Sequence, residues 1–293
     1  MSGKAPGSPL IPCKNPHRFF GVDFLAKLFN GSEPSRQWFS SPQDLDPIFR
    51  PEAITPRFDM LPTFEKELLR HKPGSIIAIT QNPDPYHPLA NPGGFMRQVL
   101  TMIRDHGHGL VCESGSDGLL SDLDILKDIQ QKSRLMVLVP LGFSQDMPAQ
   151  KLNCCEMTFS QKLRLIHRCS LEEIPVGVLI KPIIPFINDT EDNLSILIQK
   201  AKEVGALFAY PSFGLYLGEE QRLSFYQWID QEFPGLKNIY WDHYGLRKSW
   251  VSPKVKALKK SFVFTCKKAK IAFAMSDIVK LVRPNQPVQL KLF

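Results

Sequence analysis

The chain has 293 residues, of which 43% are hydrophobic and 22% charged, and a formal net charge of +7. That balance belongs to a globular protein with room for an enzyme-sized core, and it excludes a disordered or low-complexity chain. No apolar run approaches the roughly 18 residues a membrane span needs, and Met1–Phe20, with Pro6, Pro9, Pro12 and Pro16, has no apolar stretch of signal-peptide length, so a cytoplasmic protein is expected.

Residues 1 to about 60 read as irregular, with Pro and Ser clusters and isolated aromatics such as Phe19, Phe24 and Trp38. Pro62–Lys72 then has helical spacing, with Phe64, Leu68 and Leu69 to one side. From Ser75 short apolar runs alternate with amphipathic stretches. Strands are predicted at Ser75–Thr80, Leu110–Glu113, Leu135–Val139, Val176–Ile180 and Ala206–Ala209. Helices are predicted near Phe95–Asp105, Ser121–Gln131, Ser160–Arg168, Thr190–Lys202 and Glu219–Gln231. The strands are continuously apolar, which signals burial on both faces and therefore a parallel sheet covered by helices. Five successive strand–helix units predict an α/β sheet, closed or partly closed as a barrel. Asn238–Trp241 is a further strand candidate, and a basic helix is expected after Pro253. The chain thus divides into an irregular segment 1–60, a barrel 61–245 and a basic helical region with a tail, 246–293. No Gly-x-Gly-x-x-Gly follows a strand, because Gly93 and Gly94 come after a proline-rich loop, so a dinucleotide fold is poorly supported.

The charge is unevenly spread. Nine basic residues fall between Arg247 and Lys270 with no acid among them, including Lys254, Lys256, Lys259 and Lys260. The rest of the chain is close to neutral. This run, interleaved with Trp250, Phe262 and Phe264, is a candidate nucleic-acid contact; a solvated helix face that keeps the protein soluble is the alternative. The six cysteines, Cys13, Cys112, Cys154, Cys155, Cys169 and Cys266, contain no C-x-x-C pair and read as reduced thiols. His106, His108 and Cys112 are close enough in sequence to be weighed as zinc ligands, against a polar turn feeding a strand.

In parallel α/β folds ligands collect at the carboxyl ends of the strands, so the residues there are the first site candidates. After Thr80 come Gln81-Asn82-Pro83-Asp84-Pro85-Tyr86-His87-Pro88, a proline-stiffened loop presenting a carboxylate, a phenol and an imidazole. It is either a capped turn or a catalytic loop, and a metal-independent hydrolase or lyase using Asp84 and His87 is one reading. Glu113 and Ser114 end the next strand. Asn188 or Asp189 has a plain role as a helix cap, and Glu156 with Arg164 is a surface ion pair or part of a site.

The runs SIIAITQNPDPYHP, SDLDILKDI and EIPVGVLIKPIIPFINDTE together resemble the spore-photoproduct-lyase-like family of radical S-adenosylmethionine proteins. That family shows T-D-P-Y-Q-P after the second barrel strand, a strand ending Thr-Lys, an R-D-L-D-L-L helix start, and G-I-P-V-G-V-L-V-A-P-V-I-P-G-L-N-D. The resemblance implies a partial (βα)6 TIM-type barrel, S-adenosylmethionine and a [4Fe–4S] cluster held by C-x-x-x-C-x-x-C in the loop after the first strand. It also implies hydrogen abstraction by a deoxyadenosyl radical, in the best-known members on damaged DNA. By position it assigns Asp84, Tyr86, Glu113, Ser114, Glu156, Arg164 and Asn188 to the cofactor. Here Glu113-Ser114 replaces Thr-Lys, Pro140 stands where a serine is expected, and the three-cysteine motif is absent. The resemblance places the first strand and its cysteine loop before a segment like Phe20–Pro51, so the motif is either missing with that segment or lost.

The last residues, Gln289-Leu290-Lys291-Leu292-Phe293, resemble the Q-L-x-L-F peptide that docks bacterial replication and repair proteins on the sliding clamp. Gln289, Leu290, Leu292 and Phe293 would make that contact, unless the tail packs on its own domain. Two functional readings follow. One is a radical-SAM-superfamily protein related to spore photoproduct lyase that acts on or binds nucleic acid. The other is a non-catalytic barrel, a pseudoenzyme that serves as a nucleic-acid or clamp-binding module.

Overall fold

The computed structural model describes residues 8–16, 19–30, 55–79, 84–88, 90–145 and 157–284. Its main sheet has seven strands in the order β1 (Leu10–Pro12), β2 (Phe24–Ala26), β5 (Ile76–Ile79), β6 (Gly109–Glu113), β7 (Leu135–Pro140), β8 (Val176–Ile180) and β9 (Ala209–Pro211). Strand β1 pairs antiparallel with β2, and every later neighbour is parallel. Two short strands, β3 (Phe29–Asn30) and β4 (Thr55–Pro56), pair with each other. Six parallel strands in sequence order, joined by helices, make the expected partial (βα)6 barrel.

The connecting helices are α1 (Leu61–Arg70), α2 (Phe95–Asp105), α3 (Leu123–Lys132), α4 (Phe159–Leu171) and α5 (Glu191–Glu203). Alternation along the strands sorts the core into two layers. Ile77, Ile79, Leu110, Val137, Val139 and Val178 face the helices. Ile76, Ala78, Val111, Met136, Leu138 and Leu179 face the concave side. That concave side is filled by Phe20, Phe208 and two residues of α9 (Met275–Val282), Ile278 and Val282. Arg283, just past α9, donates to the Gly21 carbonyl at 2.6 Å and pairs with Asp23, whose carboxylate accepts from Ile76 N at 2.8 Å. Helix α9 therefore closes the amino end of the barrel and leaves the carboxyl end as the mouth. Gly177 is required on this inner face, because a Cβ there would lie 2.2 Å from Phe208 Cζ.

Several expectations are corrected. The segment 1–60 is not wholly irregular: it supplies β1 to β4, and β2 is the first parallel strand of the barrel, flanking β5. Short strands of mixed composition carry too little periodicity to be read locally. Asn238–Trp241 is not a strand. It lies within α7 (Leu236–Tyr244), where Tyr240 and Tyr244, one helical turn apart, are both buried. Ala206–Ala209 becomes a strand only from Ala209. The cap of α5 is Thr190, whose hydroxyl accepts from Asn193 N at 3.1 Å, rather than Asn188 or Asp189.

A smaller aromatic core adjoins the mouth. Helix α6 (Glu219–Glu232), α7 and the antiparallel pair β10 (Gly214–Tyr216) and β11 (Ser249–Val251) bury Phe225, Tyr240, Tyr244 and Trp250 against Phe143 and Ile184, which follow β7 and β8. The basic helix expected after Pro253 is α8 (Val255–Ala269), which packs on α5. None of the described helices is long and apolar enough to cross a membrane.

Candidate functional site

Following the concave-side alternation upward from Val111, Leu138 and Leu179 leads to Glu113, Pro140 and Lys181 at the carboxyl ends of β6, β7 and β8. Alternate strands of a barrel contribute side chains to one layer. Accordingly Lys181 Nζ reaches Glu113 Oε1 at 2.5 Å across β7, with the two side chains 6% and 2% exposed. A second lysine arrives from outside the sheet. Lys162 on α4 is buried and donates to the Pro140 carbonyl at 3.0 Å. Its ammonium lies 3.4 Å from where a Cβ on Gly115 would sit, so the missing side chain at Gly115 leaves it room. Neither lysine was singled out from sequence. Both carried a signal: Lys181 follows an unbroken apolar strand, and Lys162 stands in the inward i, i+3, i+4, i+7 row with Leu165, Ile166 and Cys169.

The loop residues expected at the mouth are drawn together by bonds among themselves. The Asp84 carboxylate accepts from Ser114 Oγ and Gly115 N, each at 2.7 Å, and from Tyr86 N at 3.0 Å. Burial pushes its carboxyl above the ordinary range, and these donors and the Lys162 charge pull it partly back. Tyr86 is buried, and its hydroxyl donates to Asp122 at 3.1 Å, which also accepts from Arg97 at 3.0 Å. Burial raises the Tyr86 phenol well above its usual value. Asn188 spans two loops: its Nδ2 donates to the Gly142 and Pro182 carbonyls at 2.8 Å each, and its Oδ1 accepts from Ile184 N at 2.6 Å. Asp189 accepts from Ser252 Oγ at 2.5 Å and pairs with Lys254 at 3.4 Å, fastening the start of α8 to the mouth. The structure thus brings Asp84, Tyr86, Glu113, Ser114 and Asn188 to one end of the barrel and gives each a partner within the chain. Arg164 is exposed on α4, turned away from Lys162. Glu156 and the tail residues Gln289, Leu290, Leu292 and Phe293 lie outside the described residues.

The residues do not fit a three-cysteine cluster. The first barrel strand is present as β2, and the sequence from Lys27 to Ser75 that joins it to β5 contains no cysteine. Cys112, Cys169 and Cys266 are buried in the layer between sheet and helices, with thiols pushed up by burial. Cys13 N bonds Asp23 O, ahead of β2 at the amino end of the barrel. Cys154 and Cys155 lie outside the described residues, and two thiolates are one short of the three the motif supplies. The zinc candidates are also dispersed. His106 Nε2 lies 3.2 Å from a Glu65 oxygen, and His108 Nε2 lies 2.9 Å from the Leu68 carbonyl. Among the described residues no three His, Cys, Asp or Glu side chains group to hold a metal.

The basic stretch is partly rearranged by folding. Trp250 and Phe262 are core residues, 0% and 4% exposed, rather than surface aromatics between lysines. Helix α8 buries Leu258, Phe262, Thr265 and Cys266 and turns Lys256, Lys259, Lys260, Lys267 and Lys268 outward together with Phe264.

No protein-family model and no curated protein matches the chain. Solved structures of spore photoproduct lyase do. The enzyme complexed with a dinucleoside spore photoproduct aligns with a TM-score of 0.59 over 93% of this chain and 80% of that one, at 12% identity. A variant with bound AdoMet and the same dinucleoside aligns at 0.59 over 92% and 79%, at 11% identity. A tyrosine-to-phenylalanine variant aligns at 0.60 over 92% and 80%, at 12% identity. The chain therefore has the fold of spore photoproduct lyase, as the resemblance of its loop and strand motifs implied.

Proposed function

We propose that this chain is a spore-photoproduct-lyase-fold protein that binds nucleic acid without cluster-dependent radical chemistry. The observation that carries the binding is α8: five outward lysines on one rigid, acid-free helix, anchored at its start through Lys254 and Asp189. A concentrated positive face of this kind binds polyphosphate by releasing counterions. Solved structures of the same fold hold a dinucleoside spore photoproduct, which makes nucleic acid a natural partner for the architecture. The absence of cysteine from the connection between β2 and β5 and the Glu113–Lys181 pair across the mouth argue against a cluster there.

The test is equilibrium binding to DNA across a salt series, with wild type compared to a triple Lys256→Gln, Lys259→Gln, Lys260→Gln variant. Wild-type binding should weaken steeply with salt. The variant should bind more weakly, with a log–log salt slope smaller by about 0.7–0.9 for each lysine that contacts phosphate. Binding and slope that survive the triple substitution would remove α8 from the interface. Stoichiometric iron and sulfide uptake on anaerobic reconstitution would reverse the reading of the mouth.

A further inference from the structure

The outward face of α8 is not uniformly charged. Lys256, Lys260, Phe264 and Lys268 stand at i, i+4, i+8 and i+12, one continuous ridge along the helix. Each step rises about 6 Å. All four are exposed, and Phe264 is 67% so. The helix buries its other aromatic, Phe262, at 4%. A phenyl ring left in water between ammonium groups is no use to a phosphate backbone. It is suited to the π-face of a base, and a base offers that face only when it is unpaired.

From this ridge we infer that the nucleic acid recognised by α8 is single-stranded, with a base stacked on Phe264 and the flanking phosphates held by Lys260 and Lys268. The inference rests on the proposed nucleic-acid binding and narrows its ligand. A duplex presents its phosphates to the same lysines but keeps its bases stacked inside, so it gains nothing from the ring. Stacking of this kind tolerates any base, and the contact is therefore expected to be indifferent to sequence. The mouth plays no part in it. The ridge lies on the helix side opposite Leu258 and Cys266, which pack into the main core.

The experiment is fluorescence anisotropy on the full chain with a labelled strand of about 16 nucleotides. The strand is presented as single-stranded DNA, as single-stranded RNA of the same sequence, and as duplex DNA. Phe264→Ala should weaken binding to the single strands by roughly 5- to 150-fold and leave the duplex affinity within about twofold, with the salt slope unchanged because no charge is removed. Phe264→Trp should retain single-strand binding. The two single-stranded arms identify whether DNA, RNA or both are held. Binding of the duplex with no effect of Phe264→Ala on any arm would overturn the inference and leave the nucleic-acid reading standing. Equal loss on single strands and duplex would also overturn it. If no nucleic acid binds the wild type, the nucleic-acid reading itself falls, and this inference falls with it.

Discussion

Changing Lys181 to Met tests whether the barrel mouth is a closed, dry layer. Lys181 and Glu113 are 2.5 Å apart, with side chains 6% and 2% exposed. At an effective dielectric near 20, two unit charges at that separation attract by about 6–7 kcal/mol. Desolvating them costs several kcal/mol per ion, so the intact pair is close to neutral in net stability. Removing one partner leaves the other desolvated without its counter-charge and costs about 3–5 kcal/mol. Lys181→Met should therefore lower the unfolding free energy by that amount in urea, a large share of the roughly 5–15 kcal/mol a domain has in total. Glu113→Gln should cost a similar amount. The double variant should return to within about 1–2 kcal/mol of wild type, so that the two single losses fail to add by about 4 kcal/mol or more. A loss under about 1 kcal/mol for the single change, with no coupling, would show a pair solvated like a surface ion pair. The mouth would then be open to water, and the pair would no longer argue against a cluster there.

Two other outcomes follow from packing and burial. Gly177→Ala would set a methyl 2.2 Å from Phe208 Cζ and 2.3 Å from Cε1; overpacking should destabilise by about 1–3 kcal/mol or more. Phe208→Leu in the same chain should recover part of that, whereas an unchanged denaturation midpoint for the single variant would mean that the ring does not fill this space. The Cys169 and Cys266 thiols are pushed up to about 11 and about 12 by burial, and Cys112 also lies well above its ordinary value. Burial raises the Cys13 thiol as well, so accessibility decides: Cys13 is half-buried while the other three are fully buried, and iodoacetamide should alkylate Cys13 in the native protein and reach these three only after unfolding, as read by peptide mass spectrometry. Native labelling of Cys169 would contradict the packing of α4 on the sheet.

Much of the barrel was legible before folding was considered. Unbroken apolar strands such as Val176–Ile180 and the amphipathic spacing of Leu194, Leu197, Ile198 and Ala201 are local patterns, and burial on both faces of a parallel sheet imposes them. The missing cysteines and the acid-free basic run are likewise matters of composition, and so they were fixed by the chain alone. Other features depended on the assembled sheet. Three residues, Phe24–Ala26, have no period of their own; what makes them the first barrel strand is the hydrogen-bonding partner β5, more than fifty positions away. That placement decided that the loop without cysteines is the one after the first strand. The pairing of Glu113 with Lys181, the reach of Lys162 and the burial of Trp250 and Phe262 beside an exposed Phe264 were equally hidden. A side chain's partners across a barrel are set by strand register and helix rotation, which link residues far apart in sequence. Sequence supplied the residues and the elements; only tertiary structure decided which of them face each other, which face water, and which end of the barrel each occupies.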